Sequence, residues 1–183
     1  MWNSSINTSN ENGDLSYLVS VNEFADLTNE EFIASRNGLE KASKARSLSS
    51  FKYENVTALP SAMDWRMKGT ITPIKNQGKC ANYPYQGVDA TCNKKEAASS
   101  AAQINGYEDV LANDENALLQ AMAKKPILVS IDTSGYAFQF YSSGVFTGDC
   151  GTDLDHGVTA VAFGATSDKT KYWLVKKSWG TML

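Results

Sequence analysis

The sequence predicts an α+β fold, and three observations carry that expectation. Thr28 stands three residues before Glu31, the spacing of a capping box, and Glu30 and Glu31 favour the positive end of a helix dipole. A second helix is expected over residues 115–124, capped by Asn113 or Asp114 and stopped by Pro126, with Leu118, Leu119 and Met122 on its apolar side. Beyond it, the apolar and β-branched runs 127–131, 158–163 and 171–175 have the length of strands.

Taken in order, residues 1–16 are polar, rich in Asn and Ser, and are expected to be poorly ordered. Residues 17–21 form a short β-prone run, and 22–27 lead into the capped helix, whose apolar edge is Phe32 and Ile33. Asn37-Gly38 ends it with residues that tolerate a left-handed conformation. Residues 39–58, rich in Lys, Ser and Ala without a period, read as an exposed linker. From Pro60 onward the texture changes, with short aromatic or β-branched pieces at 63–66 and 71–74 and loops at 75–80 and 82–87. Residues 94–102 read as surface. Phe138, Phe140, Tyr141, Val145 and Phe146, interrupted by Gly144, read as strands joined by a turn. No internal repeat is present.

With 42% hydrophobic and 10% aromatic residues, the 183-residue chain has material for a core in one domain, or in one domain plus an appended segment. Seventeen Lys and Arg against 20 Asp and Glu, a net charge of −3, offer no basic stripe and exclude nucleic acid as a main partner. No apolar run reaches membrane-spanning length, so no membrane partner is expected, and the first residues lack the basic start and apolar stretch of a signal peptide. The three cysteines, Cys80, Cys92 and Cys150, are an odd number. Together with His156 they fit no common zinc spacing, so neither a metal nor another cofactor is expected. The tripeptide sequons at Asn3, Asn7 and Asn55 carry little weight, and the compartment stays open.

His156 is the chain's only histidine. It stands at the mouth of the 158–163 strand, after Asp155 and before Gly157, a residue small enough to let another backbone approach. A rigidly held imidazole there suits a general base, while the bland alternative is a structural histidine. Four further stretches decide between them. Asn22-Glu23-Phe24-Ala25-Asp26 fits an Asn-x-Phe-x-Asp pattern, with Ser20 where a glycine is usual. Leu59 to Arg66 reads Leu-Pro-Ser-Ala-Met-Asp-Trp-Arg, Gln77 to Cys80 reads Gln-Gly-Lys-Cys, and Lys176 to Gly180 reads Lys-Lys-Ser-Trp-Gly. With Leu154-Asp155-His156-Gly157, in this order, they resemble the papain-like cysteine proteases, most closely the plant senescence and vacuolar type.

The resemblance covers nearly everything from residue 17 onward. It implies residues 1–58 as a partial inhibitory propeptide and linker, and residues 59–183 as a truncated peptidase domain acting on peptides and proteins. His156 would be the catalytic histidine and Gln77 the glutamine that helps form the oxyanion hole. Relatives of this type are vacuolar, lysosomal or secreted.

The same resemblance exposes departures. The family's nucleophile follows the Cys80 position after two residues, at the start of a long central helix that lowers its thiol pKa. Here Cys80 runs directly into Ala81-Asn82-Tyr83-Pro84, which matches a much later part of the pattern. The nucleophile, the central helix and one wall of the cleft are therefore expected to be absent. The expected fold is an incomplete papain-like one that retains part of an antiparallel β-barrel domain behind the propeptide remnant. Lys177 stands where the family has the asparagine that orients the histidine, and there it would disfavour a protonated imidazole. Trp179 would pack over His156. The partners of Cys80, Cys92 and Cys150 would fall in the missing middle and tail, leaving all three unpaired. Neither surviving cysteine is a good replacement for the nucleophile: the resemblance makes Cys150, six residues before His156, a structural half-cystine, and nothing seats Cys80 at a helix start. Three functional readings follow: an inactive cysteine-type endopeptidase by descent, a propeptide-like inhibitor of a related cysteine protease, or a working endopeptidase if the missing segment exists in the transcript.

Overall fold

The computed structural model describes residues 16–36, 51–76, 86, 90–98 and 103–180. The polar stretch 1–15, most of the Lys/Ser/Ala-rich stretch (37–50) and the loop holding Gln77 and Cys80 lie outside the described residues.

The order of elements is β1 (Tyr17–Val19), α1 (Asn29–Arg36), β2 (Met63–Asp64), α2 (Lys94–Ala97), α3 (Glu115–Met122), β3 (Ile127–Ile131), α4 (Tyr136–Gln139), β4 (Tyr141–Gly144), β5 (His156–Ala165) and β6 (Lys171–Lys176). Every strand pair is antiparallel. The long β5 is the centre of the larger sheet, pairing with β2, β3 and β6, while β1 and β4 form a separate two-stranded ribbon. From Ala160 to Gly164 β5 is buried without interruption, which explains why that stretch is apolar without alternation.

The capping box at α1 is closed in both directions: the Glu31 amide donates to Thr28 Oγ1 at 3.2 Å, and the Thr28 amide donates to Glu31 Oε2 at 2.8 Å. Asp114 caps α3, its Oδ1 accepting from the Ala117 amide at 2.9 Å. The buried face of α3 is Ala117, Ala121 and Met122, with Leu118 and Leu119 half-buried beside it. Met122 packs with Ala160 and Phe163 against Met63, Val129 and Trp173, which seats the helix on the sheet.

Two expectations are corrected. An exposed linker does not extend through residue 51: Phe51 and Tyr53 are buried, edge to face at 5.6 Å, against Ala117 and Ala121. The two small alanines make the recess that the rings fill, and Gln120 Nε2 ties the turn down at Glu54 O. An aperiodic turn with two aromatics gives no repeat from which burial could be read. Phe138, expected in a strand, lies instead on the single turn α4, because the amides of Phe138 and Gln139 both donate to Gly135 O. The strand begins only at Tyr141.

Candidate active site around His156

His156 opens β5, and its strand register places it opposite Ile131 of β3. The turn before it is fixed by Asp155, whose amide donates to Ile131 O and whose Oδ1 accepts from both the amide and the hydroxyl of Thr133. The imidazole is thus held by a paired strand on one side and a locked aspartate on the other. It is 6% exposed. A Cβ placed on Gly157 would meet nothing within 4 Å, so among the described residues no backbone crowds its side-chain position, contrary to what the glycine suggested.

Trp179 lies over the imidazole, ring centroids 4.7 Å apart, and is itself 1% exposed. It is positioned by a bridge to Asn76, whose Nδ2 donates to Trp179 O, and by the Gly180 amide donating to Lys75 O. The segment leading to Gln77 is therefore tied to the chain at Trp179, although Gln77 and Cys80 themselves lie outside the described residues. Cys92 and Cys150 are both exposed and unpaired. The Cys150 thiol points to Gly148 O. Among the described residues no group of His, Cys, Asp and Glu could hold a metal ion.

Lys177 is half-buried, its ammonium 4.3 Å from the Trp179 ring centroid and 5.4 Å from that of Phe138. Burial depresses it to about 8, against a partial upward pull from Glu23. The His156 pKa is lowered chiefly by burial; Asp155 opposes that shift and the charge of Lys177 adds to it. The imidazole is therefore held neutral, and its Nε2 is buried without a hydrogen-bond partner among the described residues. A neutral imidazole can accept a proton. An unpartnered Nε2, however, leaves its tautomer unfixed.

The N-terminal segment also packs on Trp179. Phe24 and Phe32 meet the indole edge to face at 5.8 and 5.3 Å, and Phe138 joins at 6.3 Å. Phe24, Phe32 and Trp179 are each almost fully buried, and the Arg36 guanidinium caps Phe24 at 4.9 Å. Sequence reasoning missed this cluster and also Gln139, which joins the segment to α4. The only local signal was Asn22, whose Oδ1 accepts from the Phe24 amide in a short turn.

A family model described as papain family cysteine protease matches residues 81–183. The chain belongs to that family. It is 39% identical to the senescence-specific cysteine protease SAG12 of Arabidopsis thaliana, over 90% of this chain and 68% of that protein. It is 38% identical to the thiol protease SEN102 of Hemerocallis, over 93% of this chain and 67% of that protein. The papain-family chain thus spans about two thirds of the length of these relatives. The SAG12 alignment runs over 234 positions but takes in 90% of 183 residues, about 165, so about 69 positions of the relative have no counterpart here.

Among solved structures, a recombinant stem bromelain precursor superposes with a TM-score of 0.79 at 30% identity, covering 97% of this chain and 77% of that one. The proform of the ragweed pollen protease Amb a 11 gives 0.81 at 31% identity, covering 97% and 69%. Bromelain from Ananas comosus in complex with the E64 inhibitor gives 0.56 at 30% identity, covering 67% and 84%. The mixed helix-and-sheet architecture is that of an incomplete papain fold.

Proposed function

We propose that this chain is a papain-family endopeptidase by descent that keeps the position of the catalytic histidine without its reaction. The observation that carries the reading is the direct junction of Cys80 to Ala81. It is where the family match begins, and the SAG12 alignment leaves about 69 positions of the relative without a counterpart. A gap of that size is large enough to have held a nucleophile and the helix that activates it. Without a thiolate, Gln77 as an oxyanion donor has no developing charge to stabilise. Lys177 in place of the orienting asparagine supports the same conclusion. An ammonium offers no acceptor to a ring N–H, and its charge disfavours the histidinium that thiolate formation requires.

Residues 1–58 act as a propeptide remnant and residues 59–183 as the truncated peptidase domain. Supporting this division, the two proforms superpose on 97% of the chain, whereas the E64 complex of bromelain superposes on 67%. The alternative role, inhibition of a related cysteine protease in trans, is not favoured, because the same segment is already packed on its own chain through Phe24 and Phe32. Active-site titration tests the proposal. Incubation with a thiol-directed epoxide followed by mass spectrometry should leave the protein without stoichiometric, histidine-dependent labelling. A single labelled cysteine that disappears in His156→Ala would show a working nucleophile.

A further inference from the structure

We propose that Gln139 is the residue that reads the N-terminal segment and sets its register on the domain. The inference rests on the propeptide-remnant reading above and names the contact that makes docking specific. Gln139 closes the α4 turn and is 1% exposed. Its side-chain Nε2 donates to Phe24 O at 3.1 Å and to Leu27 O at 3.2 Å, and its Oε1 accepts from Asn29 Nδ2 at 3.1 Å. Its backbone carbonyl accepts from Asn22 Nδ2 at 2.7 Å. One residue therefore addresses positions 22, 24, 27 and 29, and the orientation of its amide is fixed, since the reverse would set an oxygen against two carbonyls.

The segment presents a shape that only this register satisfies. Asn22 is used twice, holding the Phe24 amide with Oδ1 and the Gln139 carbonyl with Nδ2. Two backbone turns follow, with the Ala25 amide on Asn22 O and the Leu27 amide on Phe24 O. They leave the second lone pair of Phe24 O, and the carbonyl of Leu27, to Gln139. A shift by one residue would remove Asn29 from Oε1 and strand an amide that is almost fully buried. Aromatic packing of Phe24 and Phe32 on Trp179 contributes burial, but flat rings tolerate sliding. A directional, fully used amide does not.

Hydrogen exchange on the full-length chain tests this. Two amides bracket the docked segment: Ser20, which donates to Phe140 O at 2.8 Å, and Val145, which donates to Ser16 O at 2.8 Å. In Gln139→Leu both should exchange about tenfold faster or more, with the β5 and β6 amides unchanged. Asn29→Ala alone should accelerate both by about threefold, and added to Gln139→Leu it should have no further effect, because the shared bond is already gone. Unchanged protection at Ser20 and Val145 in either single variant overturns the proposal. So do loss spread equally over β5 and β6, and strictly additive effects in the double variant. If the two amides are unprotected even in the unsubstituted chain, docking of the segment fails with it; protection there but indifference to Gln139→Leu overturns the role of Gln139 alone. Neither result depends on peptidase activity.

Discussion

Lys177 is the side chain whose charge the proposed reading of the site depends on most. Its amine is held between Trp179 and Phe138, and burial depresses it to about 8 from the usual 10.5 of a lysine. Because the folded pKa lies below the unfolded one, the folded chain binds fewer protons between pH 8 and 10.5. Stability is therefore greatest above pH 10.5 and is lost as pH falls through about 8, so the full penalty applies at neutral pH. Lys177→Met removes the charge and keeps the length. After allowing for the lost cation–π contact, it should stabilise the protein by about 1–2 kcal/mol at pH 7, with the advantage vanishing above pH 10.5. Urea unfolding at a series of pH values measures both. The same variant should move His156, the single imidazole in the chain, upward in an NMR titration, because one of the two lowering causes is gone. For His156 itself, the depressed folded pKa means stability is lost as pH falls below 6.5, where the unfolded chain takes up the proton first.

At the scale of elements, the ribbon of β1 and β4 depends on one glycine. Gly144 has φ +91° and lies opposite Tyr17; a Cβ there would collide with Ser16 O and stand 2.8 Å from Tyr17 Cα. Gly144→Ala should therefore detach β1 and release its amide protection while the sheet around β5 keeps its own, a result that residue-resolved hydrogen exchange reads directly. The turn of Phe51 and Tyr53 behaves oppositely to a linker. Phe51→Ala should cost about 3 kcal/mol in denaturant unfolding, since it empties the recess over Ala117 and Ala121. A linker residue would cost almost nothing. Strands β3 and β6 were legible because a proline or a turn bounds each of them, and α1 and α3 because each carries a cap its first turn uses. Residues 51–53 and α4 were not. Their aromatics follow no period, and in α4 the hydrogen bonds to Gly135 O, not side-chain alternation, decide the backbone.

At the scale of the whole molecule, a single aromatic layer joins the N-terminal segment to the candidate site. His156 touches Trp179, Trp179 touches Phe24, Phe32 and Phe138, and Lys177 stands over the last ring and over Trp179 itself. The individual positions of His156, Trp179 and Lys177 could be read from motif order, because each sits in a short run of fixed neighbours. That Phe24 and Phe32 would close over them could not, since the contacts lie well over a hundred residues apart in the chain and a buried glutamine such as Gln139 leaves no mark on composition. The arrangement supports an account in which the fold retains the histidine's setting and the packing of its N-terminal cover while the chemistry is gone. The most direct measurement of that claim is hydrolysis of a papain-type fluorogenic peptide by the purified chain and by His156→Ala under reducing conditions. Both should give the same rate as buffer. Cleavage by the unsubstituted chain that is abolished by His156→Ala and by a thiol-directed epoxide would contradict it.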